Sequence, residues 1–314
     1  MKCLYCSREL NNGEIDWHKS CLKKFFGTDQ MPELDISNKQ LSLLAKKAVS
    51  QGLTVTGVQK KLSLHLSNED KSRLTIVDYP TGYILKPPTE GYDALPEFED
   101  VAMRIAEVAG IHTVPHGLIR IDSGYAYITK RIDRDITKKS VKLYAMEDFC
   151  QLSNRLTQDK YRGSYENCGR IIKAFSTRPG LDLSELFLRI CLSFIIGNSD
   201  MHLKNFSLIE QVPANRQYTL SNAYDMLPVN IIMPEDTEQM ALTLNGKKRN
   251  LTCKDFMTFA KNCQIPARSA ENMLAKLCSL KDDFLSQCDE SYLSKTQKAK
   301  LKDLIEERIA IINK

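Results

Sequence analysis

Four side chains of metal-binding types lie within the first 21 residues of the chain. Cys3 and Cys6 form a Cys-x2-Cys pair, and after an eleven-residue spacer His18 and Cys21 form a second close pair. Two such pairs, each on a tight turn, can close a tetrahedron of soft ligands around one zinc ion. The intervening Asn11-Asn12-Gly13 is typical of a turn that returns the chain to the first pair. The sequence therefore predicts a zinc knuckle at residues 1–27.

A second polar cluster, Gly197-Asn198-Ser199-Asp200-Met201-His202-Leu203-Lys204-Asn205, directly follows an apolar segment. Asp200 and Asn205 stand five residues apart, which is the offset between the general base and a Mg²⁺ ligand in kinase catalytic loops. Asp225 supplies a further carboxylate after a short predicted hairpin, where a kinase has its main metal ligand. This pattern predicts phosphoryl transfer, with Asp200 as the base and with Asn205 and Asp225 as Mg²⁺ ligands.

Phosphoryl transfer also needs a fixed positive charge on the nucleotide phosphates. Lys86 ends an apolar predicted strand as a lone cation, and Glu99 on the following helix can pair with it and fix its direction. Taken alone, a lysine at a strand end and a glutamate on a helix are usually exposed to solvent. The hypothesis therefore depends on the order Lys, Glu, Asp-x4-Asn and Asp along one chain.

The elements before residue 143 are predicted mostly as strands. Apolar and polar residues that alternate, or short apolar runs between turn residues, predict strands at 61–66, 75–77, 83–85, 117–121 and 125–130. We expect the first three strands to form an antiparallel meander with a turn at 79–82, and the last two to form a hairpin around Asp122-Ser123-Gly124. One amphipathic helix is predicted over 93–109.

From residue 144 onward the pattern is mainly helical. Asp182, with Glu185 three residues later, is predicted to cap an apolar helix over 183–196, and Ser294 with Gln297 repeats the device before the last helix. A short hairpin is predicted from strands 206–209 and 218–220. The expected fold class is α+β, with a linker (28–52), a small β-rich N-lobe (53–143) and a larger helical C-lobe (144–314).

Composition bounds the class of protein. With 314 residues, 42% hydrophobic and 26% charged, the chain has an ordinary globular composition, which excludes a wholly disordered chain and a small disulfide scaffold. The formal charge of +5 permits an acidic partner without requiring one. The N-terminus lacks an apolar stretch of signal-peptide or membrane-helix length, so we expect a cytoplasmic location and no membrane partner. In a reducing compartment the ten cysteines are then metal ligands or buried thiols.

Five successive motifs resemble those of the HipA-like serine/threonine kinases, which are toxins of bacterial toxin–antitoxin systems. The motifs are Thr56-Gly57-Val58-Gln59-Lys60-Lys61-Leu62-Ser63, Ile84-Leu85-Lys86-Pro87, Lys130-Arg131-Ile132-Asp133-Arg134, Gly197 to Asn205, and Ala223-Tyr224-Asp225. The resemblance extends over about residues 53–225. It implies a two-lobed, protein-kinase-like fold and an ATP- and Mg²⁺-dependent protein kinase that phosphorylates itself.

The resemblance also assigns residues to the nucleotide site. Those implied to contact ATP are Thr56, Gly57, Val58, Gln59, Lys86, Glu99, Thr129, Lys130, Arg131, His202 and Lys204. Thr54 and Thr56 take the places of autophosphorylated serines in related toxins and are the expected phosphosites. Threonine is equally an ordinary strand residue, so regulation at these two positions stays open. A phosphate there would repel the phosphates of ATP.

The partners implied by the resemblance are a protein substrate and an antitoxin. An aminoacyl-tRNA synthetase is the candidate substrate, and DNA binding is a candidate property of the antitoxin. HipA has an additional N-terminal subdomain before its kinase core, so a separate small protein that replaces it is a further candidate partner. The zinc knuckle is an addition relative to HipA, and the resemblance implies nothing about its role.

Three other functions compete with this interpretation. A small-molecule phosphotransferase with a kinase-like fold would use the same Asp200, Asn205 and Asp225 and would differ only at the acceptor site. An inactive scaffold whose zinc knuckle binds nucleic acid requires degraded chemistry, and none of the named residues is missing. A metal hydrolase built on His202 and Asp200 lacks a paired histidine, so His202 is interpreted as a brace for the loop backbone.

Overall fold

The computed structural model describes residues 1–34, 61–66, 73–75, 81–122, 124–137 and 140–313. The chain divides into two compact units. The first unit comprises Met1–Asp100 and Val114–Leu143, and the second comprises Val101–Thr113 and Tyr144–Lys314. The predicted linker at 28–52 lies mostly outside the described residues.

Strands dominate the described chain up to residue 143. In chain order the elements are α1 (Lys19–Phe25), β1 (Glu33–Leu34), β2 (Leu62–Leu66), β3 (Arg73–Thr75), β4 (Tyr83–Lys86), α2 (Leu95–Ala109), β5 (His116–Ile121), β6 (Gly124–Lys130), β7 (Arg134–Ile136) and β8 (Val141–Leu143). Six of these strands form one sheet in the order β1-β3-β2-β4-β6-β5, while β7 and β8 pair separately. Within the sheet β1 and β3 are parallel, and the other neighbours are antiparallel.

The predicted meander is wrong in its strand order. β4 does not pair with β3; it lies between β2 and β6, with Ile84 opposite Ser63 on one side and Thr129 on the other. Most of β4 is buried, and a buried strand needs partners on both edges because its backbone N–H and C=O groups are otherwise unsatisfied. The predicted β5–β6 hairpin is confirmed, since Ile121 is paired with Gly124.

The second unit is mainly helical. After residue 143 the elements are β9 (Met146–Asp148), α3 (Phe149–Leu152), a 3₁₀ turn (Thr157–Asp159), α4 (Tyr165–Phe175), α5 (Pro179–Ile195), a second 3₁₀ turn (Leu203–Asn205), β10 (Ser207–Glu210), β11 (Tyr218–Leu220), α6 (Val229–Ile232), α7 (Cys253–Asn262), α8 (Ala267–Ser279), α9 (Lys281–Glu290) and α10 (Lys295–Ile312). β10 lies between β9 and β11 and is antiparallel to both, which confirms the predicted hairpin.

Helix α5 begins earlier than the sequence pattern predicts. Proline at the first helical position, Pro179, sets the start, because its fixed φ suits a helix and its missing N–H would have no intrahelical acceptor there. Asp182 is therefore not the N-cap. Its carboxylate accepts hydrogen bonds from Ser176 Oγ (2.6 Å) and from the backbone N–H of Leu220 (2.7 Å), so it fastens β11 to the start of the helix.

The end of the chain follows its local signals more closely. Ser294 and Gln297 form the predicted capping box at the start of α10. Helix α5 is buried over most of its length and belongs to the core of the second unit. Within the described ranges, no helix combines the length and the apolar character needed to cross a membrane.

Candidate functional site

The predicted metal ligands at the N-terminus converge in space. The ligand atoms of Cys3, Cys6, His18 and Cys21 all lie within 4.8 Å of one another. Nδ1 of His18 lies 3.4 Å from Sγ of Cys6 and 3.7 Å from Sγ of Cys21. A tetrahedral zinc ion holds its sulfur and nitrogen ligands roughly 3.5–3.8 Å apart, given Zn–S near 2.3 Å and Zn–N near 2.0 Å. The cluster therefore has the dimensions of a zinc site.

The second nitrogen of His18 supports the same conclusion. Nε2 lies 2.8 Å from the carbonyl oxygen of Glu9, so Nε2 carries a hydrogen and donates it. In the neutral ring this leaves the lone pair on Nδ1, the nitrogen that lies beside the thiols, as metal-ligating histidines usually require. Burial raises the pKa of the Cys6 thiol, but hydrogen bonds from Arg8 and from the neighbouring thiols outweigh burial and lower it to about 6.

The predicted cation of the first unit is buried and paired. Lys86 Nζ lies 2.5 Å from Glu99 Oε1, and the two residues are only 3% and 1% exposed. The ring of Tyr127 lies under the ammonium group at 5.4 Å. Because β4 carries Lys86 and α2 carries Glu99, the pair joins the sheet to the helix, and it fixes the direction of the lysine side chain.

Three of the residues implied to contact ATP lie at the end of β6 or directly after it: Thr129, Lys130 and Arg131. Thr129 Oγ1 donates to the carbonyl of Pro115 (3.0 Å), and the N–H of Arg131 donates to the carbonyl of Gly82 (2.9 Å). Lys130 is half-buried at the last position of the strand. The Arg131 guanidinium contacts Asp133 through two nitrogens, at 2.9 and 2.7 Å.

Asp133 is held by arginines on both sides of it. Burial raises the pKa of its carboxyl group, but hydrogen bonds from Arg131 and Arg134 outweigh burial and lower it to about 2. The carboxylate is therefore charged at neutral pH. Its charge is already matched within the first unit, and it keeps the Arg131 side chain in one position.

In the second unit, the predicted catalytic loop leaves α5 through a glycine with positive φ. Gly197 has φ +70°, a backbone conformation that favours glycine, and a Cβ atom there would displace the end of the Leu304 side chain, whose Cδ2 would lie 2.5 Å away. The loop then closes on itself. Asn198 Oδ1 accepts from the N–H of Asp200 (3.3 Å), and Asn205 Nδ2 donates to the carbonyl of Asp200 (2.9 Å).

The carboxylate of Asp200 has a partner from outside the loop. The hydroxyl of Tyr161 donates to Asp200 Oδ1 at 2.6 Å. The loop backbone also contacts this segment, because the N–H of Leu203 donates to the carbonyl of Lys160 (3.2 Å). Asp200 keeps 19% of its side-chain surface accessible. The carboxylate is thus oriented by the protein and still reachable, as a general base must be.

Asp225 lies in a segment that is joined to the same loop. Its φ of +59° is in the left-handed region, which non-glycine residues seldom adopt and which is enriched at functional sites. The segment is anchored by the N–H of Ala223, which donates to the carbonyl of His112 (2.7 Å). The hydroxyl of Tyr224 donates to the carbonyl of Lys204 (3.1 Å) and so connects the segment to the loop.

His202 and Lys204 both contact protein groups within the second unit. Lys204 Nζ lies 2.6 Å from Asp148 Oδ2. His202 Nε2 lies 4.0 Å from Asp200 Oδ1, and its ring meets the ring of Tyr161 edge-on at 5.0 Å. These contacts are with side chains, so the interpretation of His202 as a brace for the loop backbone stays a prediction.

Sequence reasoning missed three residues of the second unit that hold this loop or the segment before Asp225. They are Tyr161, which holds Asp200; Asp148, which pairs with Lys204; and Arg189, a buried residue whose Nη2 donates to the carbonyl of Ser221 at 2.6 Å. Tyr161 is 39 positions from Asp200 in the sequence, so no local spacing could have singled it out. Thr54, Thr56, Gly57, Val58 and Gln59 lie outside the described residues.

Comparison with known sequences gives the family. A sequence model of the HipA-like C-terminal domain matches residues 53–283. The chain belongs to this family. A Sinorhizobium fredii protein named "Putative kinase Y4dM" is 31% identical over 228 residues, in an alignment that covers 68% of this chain and 54% of that protein. A Haemophilus influenzae protein named "Putative kinase" is 28% identical over 208 residues, in an alignment that covers 63% of this chain and 59% of that protein.

Solved structures give the fold. The HipA chain from the complex of Shewanella oneidensis HipA and HipB with operator DNA matches with a TM-score of 0.71 and 16% identity, over 86% of this chain and 70% of that one. The Helicobacter pylori proinflammatory kinase CtkA matches with a TM-score of 0.54 and 17% identity, over 75% of this chain and 86% of that one. The chain therefore has a kinase-like fold. It spans less than two thirds of the length of the Sinorhizobium fredii and Haemophilus influenzae relatives.

Proposed function

We propose that this HipA-like chain is an ATP- and Mg²⁺-dependent serine/threonine protein kinase and the toxin component of a toxin–antitoxin system. The observation that carries the proposal is the arrangement around Asp200. Its carboxylate is oriented by Tyr161 and accessible, Asn205 belongs to the same closed loop, and Tyr224 connects that loop to the segment of Asp225. A base beside two residues with oxygen ligands for a hard cation is what phosphoryl transfer requires.

Each residue has a distinct task in the proposed reaction. Asp200 accepts the proton of the attacking hydroxyl group, and the hydrogen bond from Tyr161 keeps the carboxylate pointing in one direction. Asn205 and Asp225 would hold Mg²⁺, which neutralises charge on the phosphates when it is bound. Lys86 contacts the phosphates of ATP, and Glu99 fixes its position.

The second metal of the proposal is zinc, held at Cys3, Cys6, His18 and Cys21. Three thiolates and one imidazole are soft ligands that select zinc over magnesium, and four protein ligands leave no open position for a substrate. The zinc is therefore proposed as structural and takes no part in phosphoryl transfer.

The partners are proposals in the same sense: a solved relative supports the antitoxin, and the family resemblance suggests the others. The structure of Shewanella oneidensis HipA contains HipB and operator DNA, which supports an antitoxin partner for this chain. We propose a protein substrate, with an aminoacyl-tRNA synthetase as the candidate. A separate small protein that supplies an N-terminal subdomain is a further proposed partner.

Autophosphorylation at Thr54 or Thr56 is the proposed regulation. A phosphate adds a charge of about −1.5 to −2, which would repel the phosphates of ATP and lower activity. Mass spectrometry after incubation with Mg-ATP should find phosphate on one of the two residues in the wild type but not in the Asp200→Asn variant. Phosphate on both proteins would indicate another kinase, and unmodified threonines in the active protein would contradict the proposal.

The function is tested by transfer from γ-labelled ATP to proteins of a bacterial lysate. We expect labelled protein with the wild type, and a rate lower by about 10²–10⁴-fold with Asp200→Asn, because that variant lacks the proton acceptor. Nucleotide binding, measured by calorimetry, should persist in the variant. Asp303→Asn, at an exposed position on α10, is the matched control and should transfer at the wild-type rate.

Two results would contradict the proposed function. Near-normal transfer by Asp200→Asn would remove Asp200 from the mechanism. Transfer to a small-molecule hydroxyl with no labelled protein would favour the small-molecule phosphotransferase, in which the same loop serves a different acceptor.

A further inference from the structure

The zinc knuckle lies against the sheet of its own unit rather than apart from it. β5 is the outermost strand on one side of the six-stranded sheet, so the edge that faces away from β6 needs other partners. The knuckle supplies them at Leu118. The N–H of Leu118 donates to the carbonyl of Leu4 (3.1 Å), and the carbonyl of Leu118 accepts from Nε1 of Trp17 (2.9 Å).

Two further observations show that this contact is specific. Gly117 leaves room for the knuckle, because a Cβ atom there would lie 3.1 Å from both the carbonyl oxygen of Leu4 and the ring of Trp17. Two residues after Leu118, the guanidinium of Arg120 contacts the carboxylate of Asp16, with Nη2 at 2.9 Å from Oδ1. The knuckle thus contacts β5 through a backbone hydrogen bond, through the ring of Trp17 and through an ion pair.

The interior of the knuckle continues into the core beside the sheet. Trp17 is 1% exposed and stacks on Tyr5 at 5.0 Å between ring centroids. Phe25 and Phe26 contact the ring of Tyr83 on β4 at 5.6 and 5.3 Å. Tyr5 belongs to the first arm of the knuckle, the segment of Cys3 and Cys6. Trp17, Phe25 and Phe26 belong to the second arm, the segment around His18 and Cys21. The two arms must therefore be held together for these rings to pack.

The metal ligands hold the arms at the required places. Cys3 and Cys6 flank Leu4 and Tyr5, while His18 directly follows Trp17. The N–H of Leu4 donates to the carbonyl of Asp16 (2.7 Å), so the two arms are in register immediately beside the cluster. The residues that contact β5 are thus the chain neighbours of the metal ligands.

We propose that the zinc-bound knuckle is a clasp that closes the open edge of the sheet at β5, so that metal loss uncovers this edge. The clasp holds Leu4 and Trp17 on Leu118, and the metal replaces the larger core that so short a segment cannot build for itself. This inference is independent of phosphoryl transfer, since none of its contacts involves Asp200, Asn205 or Asp225.

Trp17 makes the clasp directly observable, because it is the only tryptophan of the chain. The purified full-length protein should contain about one zinc ion per chain. Removal of zinc with EDTA should shift the tryptophan emission to longer wavelength as the ring becomes exposed to water, and addition of zinc should reverse the shift. Substitution with Co²⁺ should give the absorption bands of a tetrahedral thiolate site.

Hydrogen exchange measures the edge strand itself. After zinc removal, the peptide that contains β5 should exchange at least tenfold faster, while β10 and β11 of the other unit should keep their rates. Cys6→Ser should lose most of its zinc and behave like the EDTA-treated wild type. Cys253→Ser is the matched control, a half-buried free cysteine outside the cluster, and should retain both zinc and protection.

Two results would overturn the clasp. Purified protein without zinc, whose emission and exchange do not respond to zinc or EDTA, would show that the cluster is not a zinc site. Zinc that is bound and removed without changing Trp17 emission or β5 exchange would show that packing alone closes the edge. Neither measurement uses kinase activity, so a failure of the proposed function would leave both interpretable.

Discussion

The Cys/His cluster at the N-terminus and the loop of Asp200 both bring together side chains that can bind a metal, but the two differ in what holds those side chains in place. In the cluster, four ligand atoms point at one another within 4.8 Å. In the loop, Asp200 is held by Tyr161 and Asn205 by the loop backbone.

The difference fits the two kinds of metal proposed for this chain. A set of converging thiols and one imidazole suits a resident ion that would become part of the fold. Carboxylate and amide groups that are held individually by the protein keep their positions without an ion and can accept one that arrives with a nucleotide. Substitutions in the loop should therefore change activity, and substitutions around the cluster should change stability.

Apart from Asp200, the largest expected effect is at Asp225. Asp225→Asn removes the charge of a proposed Mg²⁺ ligand, and we expect transfer to fall by about 10³-fold and the Mg²⁺ concentration for half-maximal rate to rise by at least about tenfold. Unfolding temperature should change little, because asparagine also tolerates the positive φ found here. A magnesium titration of the rate is the measurement, and a variant with normal Mg²⁺ dependence would remove Asp225 from the site.

In the knuckle, a substitution should lower stability rather than activity. Trp17→Ala removes a fully buried ring that also donates a hydrogen bond to Leu118, and we expect a loss of about 3–5 kcal/mol in unfolding free energy with zinc present. Phe175→Ala, at a half-exposed ring on α4, should cost less than about 1 kcal/mol. Thermal unfolding followed by circular dichroism compares them. Equal losses would mean that packing around Trp17 contributes little.

The two regions also differ in how far the sequence predicts them. The cluster is predictable because all four ligands lie within a short segment whose two pairs are set by tight turns. The hairpin at Asp122-Ser123-Gly124 and the capping box at Ser294 are local in the same sense, and both are confirmed. The five-residue spacing of Asp200 and Asn205 likewise predicts that they share one loop, as they do in the structure.

What the sequence does not predict depends on distant partners. The carboxylate of Asp182 fits the local pattern of a helix cap, but the N–H of Leu220 claims it from 38 positions away. β2, not β3, lies next to β4 in the sheet, and no local pattern encodes which strands become neighbours. The contact of Trp17 with Leu118 spans 101 positions, so a knuckle predicted as a separate segment is found against the sheet.

Tyr161 offers a smaller effect that sharpens the comparison within the loop. Tyr161→Phe keeps the ring but removes the hydrogen bond to Asp200, and a hydrogen bond to a charged group contributes about 1.5–3 kcal/mol. We expect kcat to fall by about tenfold with little change in KM for ATP, because Tyr161 orients the base and is not proposed to contact the nucleotide. Tyr218→Phe, on β11, is the matched control. A change confined to KM would contradict the orienting role.

The smallest expected effect is at Asp133, whose charge is matched by Arg131 and Arg134. Its pKa is lowered from 3.8 to about 2 in the folded protein, so the stability it contributes is present above pH 4 and is lost as the pH falls toward 2. At pH 7 we expect Asp133→Asn to be less stable by about 1 kcal/mol, once solvent screening at this half-buried site is counted.

Urea unfolding at several pH values measures this contribution. The difference in unfolding free energy between the wild type and Asp133→Asn should shrink between pH 4 and pH 2, since the wild-type carboxyl group becomes neutral over that range. Asp303→Asn, at an exposed carboxylate within α10, should match the wild type throughout. A difference that stays constant with pH would mean that Asp133 acts through its shape and hydrogen bonds rather than its charge. Asp133 would then resemble the Asp200 loop, whose side chains are positioned by hydrogen bonds within the protein, rather than the Cys/His cluster, whose side chains converge on a proposed metal.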